Sequence, residues 1–329
     1  MIRVLAAALS ALTMSLAPGI AAAQSCGTED LIAGLDAAQK ARLDALVAEH
    51  PFAEGTLFRA SKDGSDVVVV GTIHLPDPRL QPLVDALETE VRAADVLILE
   101  ASAEDEAGLA TLAATKPEMF FLTEGPTLID MLTEAEWSEV TDRLAAIGVP
   151  GFMAAKFQPW YLSMTLAVPP CAMTLLQQGQ VGLDRQLEII ATDAQVQVST
   201  LDDAEALLKL FSDEPMDAQL DGLRVTLETQ ADGNASTSTL IEAYFDGRVR
   251  EAWEFGRIQI EDAGVENGAE MFEEVNQSLL VGRNQSWEPL IVDMVDGKNA
   301  VIAVGAAHLS GESGVLRSLE RAGYDIAPF

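Results

Sequence analysis

Two stretches near opposite ends of the chain share one design. Residues 67–76 read VVVVGTIHLP and residues 300–309 read AVIAVGAAHL, so each has an apolar run, a glycine, two further residues and a His-Leu pair. Runs this apolar predict strands that are buried on both faces of a parallel sheet. The chain has only three histidines. The repeated frame therefore predicts that His74 and His308 lie on neighbouring loops of one sheet.

The N-terminal part of the sequence alternates strand and helix patterns. A hairpin is predicted around the turn Lys62-Asp63-Gly64, followed by an amphipathic helix over residues 80–94 and an apolar strand over residues 96–99. A right-handed crossover through that helix would make the strands on either side of it parallel.

The remainder divides into a helical middle and a second alternating segment. Residues 104–281 have mainly helical spacing around one short strand at 197–199, whereas residues 288–327 alternate helix, strand, helix and strand. We therefore expect an α/β (α+β) fold: a single domain over residues 24–329 whose central mixed sheet comes from both chain ends, with a large helical insertion at about residues 104–281.

The first 23 residues have the organisation of a secretory signal peptide. Arg3 precedes an apolar run over residues 4–16, and small residues follow as far as Ala23. We expect cleavage after Ala23, which predicts a periplasmic or secreted mature protein. Because no later segment offers about twenty uninterrupted apolar residues, no membrane span is expected.

The net charge of the chain argues against nucleic acid as a partner. The formal net charge of -32 would repel phosphate backbones, so nucleic acid is not expected as a partner.

The only cysteines of the chain are Cys26 and Cys171, and in an oxidising compartment two cysteines more often pair than stay free. Cys171 follows two prolines and has no histidine near it in sequence, so we expect a disulfide rather than a nucleophile.

Three residues that could carry chemistry stand just beyond predicted strands: His74, Glu100 and His308. Ligands of open α/β sheets bind beyond the carboxyl ends of parallel strands, and Gly71 and Gly305 would let the loops turn towards a shared crevice. Two imidazoles and one carboxylate can hold a divalent metal and leave positions open for water and substrate. A single histidine after a strand is more often a turn residue, but the repeated frame favours a shared site.

Short motifs along the chain resemble those of the TraB/PrgY/GumN family, to which the Tiki metalloproteases also belong. They occur in the family's order and cover roughly residues 40–329. The family's frequent Lys-Pro-Trp is Gln-Pro-Trp here, so position 158 carries no charge. The matching motifs are Val70-Gly71-Thr72-Ile73-His74-Leu75, Leu99-Glu100, Gln158-Pro159-Trp160, Gly182-Leu183-Asp184, Arg283-Asn284, Val304-Gly305-Ala306-Ala307-His308-Leu309 and Gly323-Tyr324.

The resemblance implies an active site of His74, Glu100 and His308, with Mn or Co favoured over Zn as the metal. Glu100 would either complete the ligand set or take a proton from the attacking water. Arg283 and Asn284 belong to the same pattern, and Arg283 would bind a substrate carboxylate or the developing oxyanion. The alternative is that these two residues begin a helix with Asn284 as its cap.

Three further residues are expected to have structural roles. Asp184 is predicted to cap a helix, Trp160 to lie in the core, and His50 to lie at a helix end.

Three functions remain open from the sequence. The first is a metal-dependent hydrolase of the Tiki type that acts on a peptide or another amide or ester bond. The second is a binding protein that sequesters a peptide or small ligand without turnover. The third is a hydrolase in which His and Glu act without metal, as the resemblance to erythromycin-esterase-like proteins suggests.

Overall fold

The computed structural model describes residues 26–229, 233–264 and 267–329. The expected signal peptide, residues 1–23, lies outside these described residues. The strands are β1 (Leu57–Lys62), β2 (Ser65–Thr72), β3 (Val96–Leu99), β4 (Gln197–Thr200), β5 (Asn299–Gly305) and β6 (Asp325–Pro328).

The helices differ widely in length, and a π-helix at Gln277–Val281 and several 3₁₀ turns, among them Ala306–His308, supplement them. The α-helices are α1 (Ala37–Val47), α2 (Gln81–Ala93), α3 (Ala103–Thr115), α4 (Leu128–Met131), α5 (Glu134–Ala146), α6 (Gly151–Ala154), α7 (Pro159–Leu166), α8 (Pro170–Gln177), α9 (Leu183–Asp193), α10 (Ala204–Ser212), α11 (Met216–Thr229), α12 (Gly233–Phe245), α13 (Val249–Asp262), α14 (Gly268–Asn276), α15 (Gly282–Val295) and α16 (Val315–Arg321).

The six strands of the described residues join one mixed sheet in the order β4-β3-β5-β2-β1-β6. The neighbours β4, β3, β5 and β2 are parallel, and the hairpin partner β1 runs antiparallel to both β2 and β6. The α/β fold predicted from the sequence is therefore confirmed. The prediction that both histidine loops belong to neighbouring strands is confirmed as well, because β2 and β5 pair directly.

Alternate side chains of the central strands pack against opposite layers of helices, which explains why the strand sequences are apolar throughout. On one face Val68 and Val70 of β2 pack with α2, α9 and α12. On the other face Val67 and Val69 pack with α15 and α16. Since both faces are covered, only the ends of the strands are available for a polar site.

The middle of the chain forms a second, helical packing unit. Side chains of α4, α5, α6, α7 and α11 bury a separate apolar cluster that includes Leu144, Phe157, Leu162 and Leu223. The predicted helical insertion at about residues 104–281 thus agrees with the helices found there. Its short strand extends the main sheet as β4, beside β3. How the chain divides into domains stays a prediction.

The expected disulfide is present between Cys26 and Cys171. It joins the first described residue to the start of α8, across 145 positions of sequence. No helix in the described part of the chain is long and apolar enough to cross a membrane.

Candidate functional site

The carboxyl ends of four neighbouring parallel strands each deliver one ionisable side chain to the same edge of the sheet. His74 follows β2, His308 follows β5, Glu100 follows β3 and Asp202 follows β4. Backbone pairing aligns the ends of these strands, because Thr72 lies opposite Gly305 and Leu99 lies opposite both Ala303 and Thr200. Three of them, His74, Glu100 and Asp202, border a cavity of about 220 Å³, whose lining also includes Glu106, Asp184 and Arg283.

His74 lies beside a carboxylate of α9, that of Asp184. Asp184 Oδ1 lies 3.3 Å from His74 Nδ1, and it makes no hydrogen bond that meets normal geometry. Gly182, which precedes α9, allows this approach because a Cβ there would lie 2.5 Å from the His74 carbonyl oxygen. Asp184 raises the pKa of His74 to about 9, against the opposing effect of desolvation by the surrounding protein and with further support from Glu100. The side chain is 63% exposed, so solvent screens this pairing.

Glu100 is a partly buried carboxylate with a hydrogen-bond donor on each oxygen. Oε1 accepts from the backbone N–H of Gly305 at 2.5 Å, and Oε2 accepts from Arg283. Burial alone would raise the pKa of Glu100, but His308, Arg283, His74 and the Gly305 amide outweigh it and lower the pKa to about 2. Glu100 is therefore ionised at neutral pH.

His308 is buried and has a partner at each ring nitrogen. Asn284 Nδ2 donates to the His308 carbonyl at 3.3 Å, which turns Asn284 Oδ1 towards Nδ1 at 2.7 Å. Nδ1 therefore donates, and Nε2 accepts from Arg283 Nη1 at 3.1 Å. Burial lowers the pKa of His308 to about 4; Glu100 opposes this, and Arg283 and His74 reinforce it. His308 is neutral at pH 7 because its pKa is about 4. The positive charges that stabilise the Glu100 carboxylate at pH 7 are therefore those of Arg283 and His74.

Arg283 connects the members of the site. Its Nη2 donates to both Glu100 and Asp202, its Nε donates to Asp202 at 3.1 Å, and its Nη1 donates to His308 and to the Leu279 carbonyl. Asp202 is fixed in turn by Trp287, whose Nε1 donates to Oδ1 at 2.8 Å, and the guanidinium lies over the Trp287 ring. The guanidinium is therefore a partly buried clamp that joins Glu100, Asp202 and His308.

The donor atoms decide whether the expected divalent ion suits these residues. Both nitrogens of His308 are engaged, by Asn284 and by Arg283, and each oxygen of Glu100 already accepts a hydrogen bond. Among the described residues no group of three or more His, Cys, Asp or Glu is arranged to hold a metal. With Arg283 between Glu100 and His308, the three predicted ligands do not fit a metal as a set. The metal site stays a prediction.

The structure gives Arg283 and Asn284 contacts within the protein. They lie in the first turn of α15, which continues directly from the π-helix, so they do not form an isolated helix start with Asn284 as cap. Neither offers a free group to the crevice: Asn284 is buried against His308, and every nitrogen of the Arg283 guanidinium is engaged. Both therefore position other groups in this arrangement.

Other residues singled out in the sequence are placed as follows. Asp184 is not a cap, because Gly182 occupies that position of α9; it lies beside His74 instead. Trp160 is buried, as expected. Gln158 donates to the Glu118 carbonyl, and His50 contacts Arg250, so both make structural contacts.

Asp202 is the residue that sequence reasoning missed. Its strand, β4, is short and only partly buried, so no long apolar run marks it. The pair Leu201-Asp202 nevertheless repeats Leu99-Glu100, an apolar residue and then an acid at a strand end. Applying the same positional rule to the strand predicted at 197–199 would have found it.

This α/β chain, with its row of ionisable groups at the strand ends, matches the model of the TraB/PrgY/gumN family over residues 56–328. The match spans most of the sequence, and the protein belongs to that family. None of the curated proteins compared with the chain matches it.

Proposed function

We propose that the protein is a hydrolase of amide or ester bonds in which His74 is the general base and no resident metal is needed. Asp184 orients and charges His74 from behind, and Glu100 stands beside it. Of the three open functions, this is the one in which His and Glu act without metal.

One observation carries the proposal. A Cβ on Gly305 would lie 3.0 Å from Glu100 Oε1, 3.6 Å from His308 Cδ2 and 3.8 Å from His74 Nε2. The missing side chain of Gly305 therefore leaves a space on which the free ring nitrogen of His74 and a carboxylate oxygen converge. A water molecule in that space would meet a proton acceptor at Nε2 and a second hydrogen-bond acceptor at Oε1.

The charges around His74 suit a base. A base must become cationic as it takes a proton, and both Asp184 and Glu100 favour the imidazolium form. The orientation is also suitable, because Asp184 faces Nδ1 and leaves Nε2 for the crevice, as in triad-type hydrolases. With a pKa near 9, however, little His74 is neutral at pH 7. We therefore expect the enzyme to work best in alkaline solution.

The expected substrate is a peptide or small molecule that bears an amide or ester bond. The cavity of about 220 Å³ admits only part of a larger molecule. The disulfide is consistent with an oxidising compartment, so we place the enzyme in the periplasm or outside the cell, after removal of a signal peptide of about residues 1–23.

The test is an assay of the purified mature protein on a mixed peptide library and on a series of activated esters. His74→Gln and Glu100→Gln should each lose activity by on the order of 10²-fold or more. Asp85→Asn, a change on the exposed side of α2, is the control and should keep it. Each assay is repeated after chelation and after addition of Mn, Co or Zn.

Three outcomes would overturn the proposal. Loss of activity on chelation, with recovery on adding Mn, Co or Zn, would establish the metal-dependent hydrolase instead. Saturable binding of peptides without turnover would favour a sequestering protein. Full activity in His74→Gln would remove His74 from the reaction.

A further inference from the structure

A second cavity, of about 590 Å³, is lined in part by Asn284, which contacts His308. It is bordered by the residues that follow α1, by α13 and α14, by the π-helix and α15, by the loop that follows β5 and by the end of α16. It shares no lining residue with the crevice at the strand ends. Its size is that of a small-molecule site.

Arg250 lines this cavity and is far from satisfied. The residue is only 6% exposed, yet of its donors only Nη2 is used, towards His50 Nε2 at 2.7 Å and Glu254 Oε1 at 2.6 Å. Within the described residues, Nε and Nη1 make no hydrogen bond, and Oε2 of the paired Glu254 has no hydrogen-bond partner either. A buried guanidinium with unused donors is costly unless an acceptor reaches it.

A second unpartnered group lines the same cavity. Ser310, 7% exposed, has no hydrogen-bond partner for its Oγ among the described residues. Gly311 beside it keeps the wall open, because a Cβ there would lie 3.4 Å from His50 Nδ1 and 4.0 Å from Arg250 Nη1. Arg250 and Ser310 together offer donors, which suit a carboxylate.

The charged side chains that line the cavity are mainly acidic. Four carboxylates border the cavity against two guanidinium groups, and both guanidinium groups already have acidic partners: Glu254 for Arg250 and Glu288 for Arg321. Glu49 and Glu273 lie on exposed positions of the border. A simple anion would be repelled by this surplus, whereas a simple cation would leave Arg250 and Ser310 unsatisfied.

An apolar wall completes the cavity. Leu280 and Val281 of the π-helix and Ala307 of the loop after β5 line it. π-Helical turns are rare and occur often at functional sites. An aliphatic side chain would bury its surface against this wall.

We infer that this cavity binds a small zwitterion of the α-amino-acid type, with its carboxylate on Arg250 and Ser310 and its ammonium group facing Glu273 and Glu49. The inference concerns binding alone and does not depend on the proposed hydrolase activity. Asn284, Ala307 and Ser310 also flank or hold His308, so the ligand would touch the loop that carries that residue.

Calorimetric titration tests the inference with three matched probes. L-leucine has both charges, N-acetyl-L-leucine lacks the ammonium group, and L-leucinamide lacks the carboxylate. L-leucine should bind at least tenfold more tightly than either blocked form. Fluorescence gives a second readout, because Trp253 Nε1 donates to Asn276, a residue of the cavity wall.

Variants locate the binding. Glu273→Gln, at an exposed position, and Ser310→Ala should each weaken L-leucine binding severalfold, and Arg250→Lys should weaken it at least tenfold. Glu273→Gln and Ser310→Ala are included because Arg250 is buried and its replacement can impair folding. Glu100→Gln, in the other crevice, should bind L-leucine as the wild type does.

Three results would overturn the inference. The first is the absence of heat and of a Trp253 response to L-leucine up to about 10 mM, the range of very weak small-ligand binding. The second is equal binding of L-leucine and its blocked forms. The third is loss of binding in Glu100→Gln, which would move the ligand to the crevice at the strand ends.

Discussion

Asp184 and His74 form a close pair at the crevice, with Asp184 Oδ1 3.3 Å from His74 Nδ1. The two belong to different parts of the chain, one to the second residue of α9 and the other to the loop after β2. Gly182 makes the approach possible, because any side chain there would strike the His74 backbone. An ordinary loop histidine would not need so close a neighbour.

The first prediction concerns the pH profile of hydrolysis. If neutral His74 is the base, kcat/KM should rise with pH as His74 loses its proton, between 6.5 and about 9. Asp184→Asn removes the group that most raises the pKa of His74, so the rise should move towards 6.5. The measurement is the pH dependence of kcat/KM for both proteins. An unchanged midpoint in Asp184→Asn would contradict the pairing.

The second prediction concerns stability in acid. Folding lowers the pKa of His308 to about 4, so protons bind the unfolded chain more readily and the free energy of unfolding should fall as pH drops from 6.5 to 4. The loss is on the order of 3 kcal/mol. Denaturant unfolding of wild type and His308→Gln at several pH values checks this, and the variant should show the smaller slope. Equal slopes would mean that His308 stays accessible to protons.

Glu100 adds a second window at lower pH. Its pKa is depressed to about 2, so its stabilising effect is complete above its usual pKa near 4.5 and is lost as pH falls towards 2. Both groups thus destabilise the protein in acid, but in separate ranges. The His308 comparison is therefore made above pH 4.5.

Much of the fold could be predicted from local sequence. The apolar runs at residues 67–70 and 300–304 indicate strands covered on both faces, and they lie side by side as β2 and β5. The order of the helices was less predictable. Short helices such as Leu128–Met131 and Gly151–Ala154 exist because of packing within the helical unit rather than because of their own propensity.

The site was predictable only in part. His74, Glu100 and His308 stand at strand ends and share a sheet edge, so position alone brought them together. The role of Arg283 could not be inferred, because it depends on a contact with Asp202 across 81 positions of sequence. Spacing along the chain does not show which side chains hydrogen-bond to one another. Whether Glu100 and His308 keep lone pairs free for a metal depends on those hydrogen bonds.

The third prediction tests the space above Gly305. Gly305→Ala would bring a methyl group within 3.0 Å of Glu100 Oε1, where the proposed water belongs. Hydrolysis should fall by at least tenfold while the far-ultraviolet circular dichroism stays unchanged. Gly108→Ala is the control, since a Cβ there has nothing within 4 Å. Full activity in Gly305→Ala would show that the reaction occurs elsewhere.

The fourth prediction concerns the disulfide. Cys26–Cys171 links residues 145 positions apart, and the chain-entropy model assigns such a crosslink about 5 kcal/mol. The double variant Cys26→Ser/Cys171→Ser should therefore unfold at lower denaturant concentration than the wild type. Intact mass with and without reduction and alkylation establishes the bond. Two freely alkylated thiols in the unreduced protein would refute it.

The last prediction concerns Asp202, which accepts from Arg283 at Oδ2 and from Trp287 at Oδ1. Asp202→Asn would turn an amide N–H₂ group towards one of these donors, because every partner of Asp202 donates. Arg283 would also keep only Glu100 as a carboxylate partner. We expect a loss of unfolding free energy on the order of 3 kcal/mol.

A positioning role predicts more than lost stability. As Arg283 shifts, Glu100 and His308 lose their common donor, so kcat should fall more than KM rises. Asp193→Asn makes the same chemical change at an exposed helix end and should alter neither quantity. Denaturant unfolding and steady-state kinetics of both variants provide the comparison. An Asp202→Asn protein with normal kcat and reduced stability would make the clamp purely structural, and one normal in both would show that Arg283 is held by Glu100 alone.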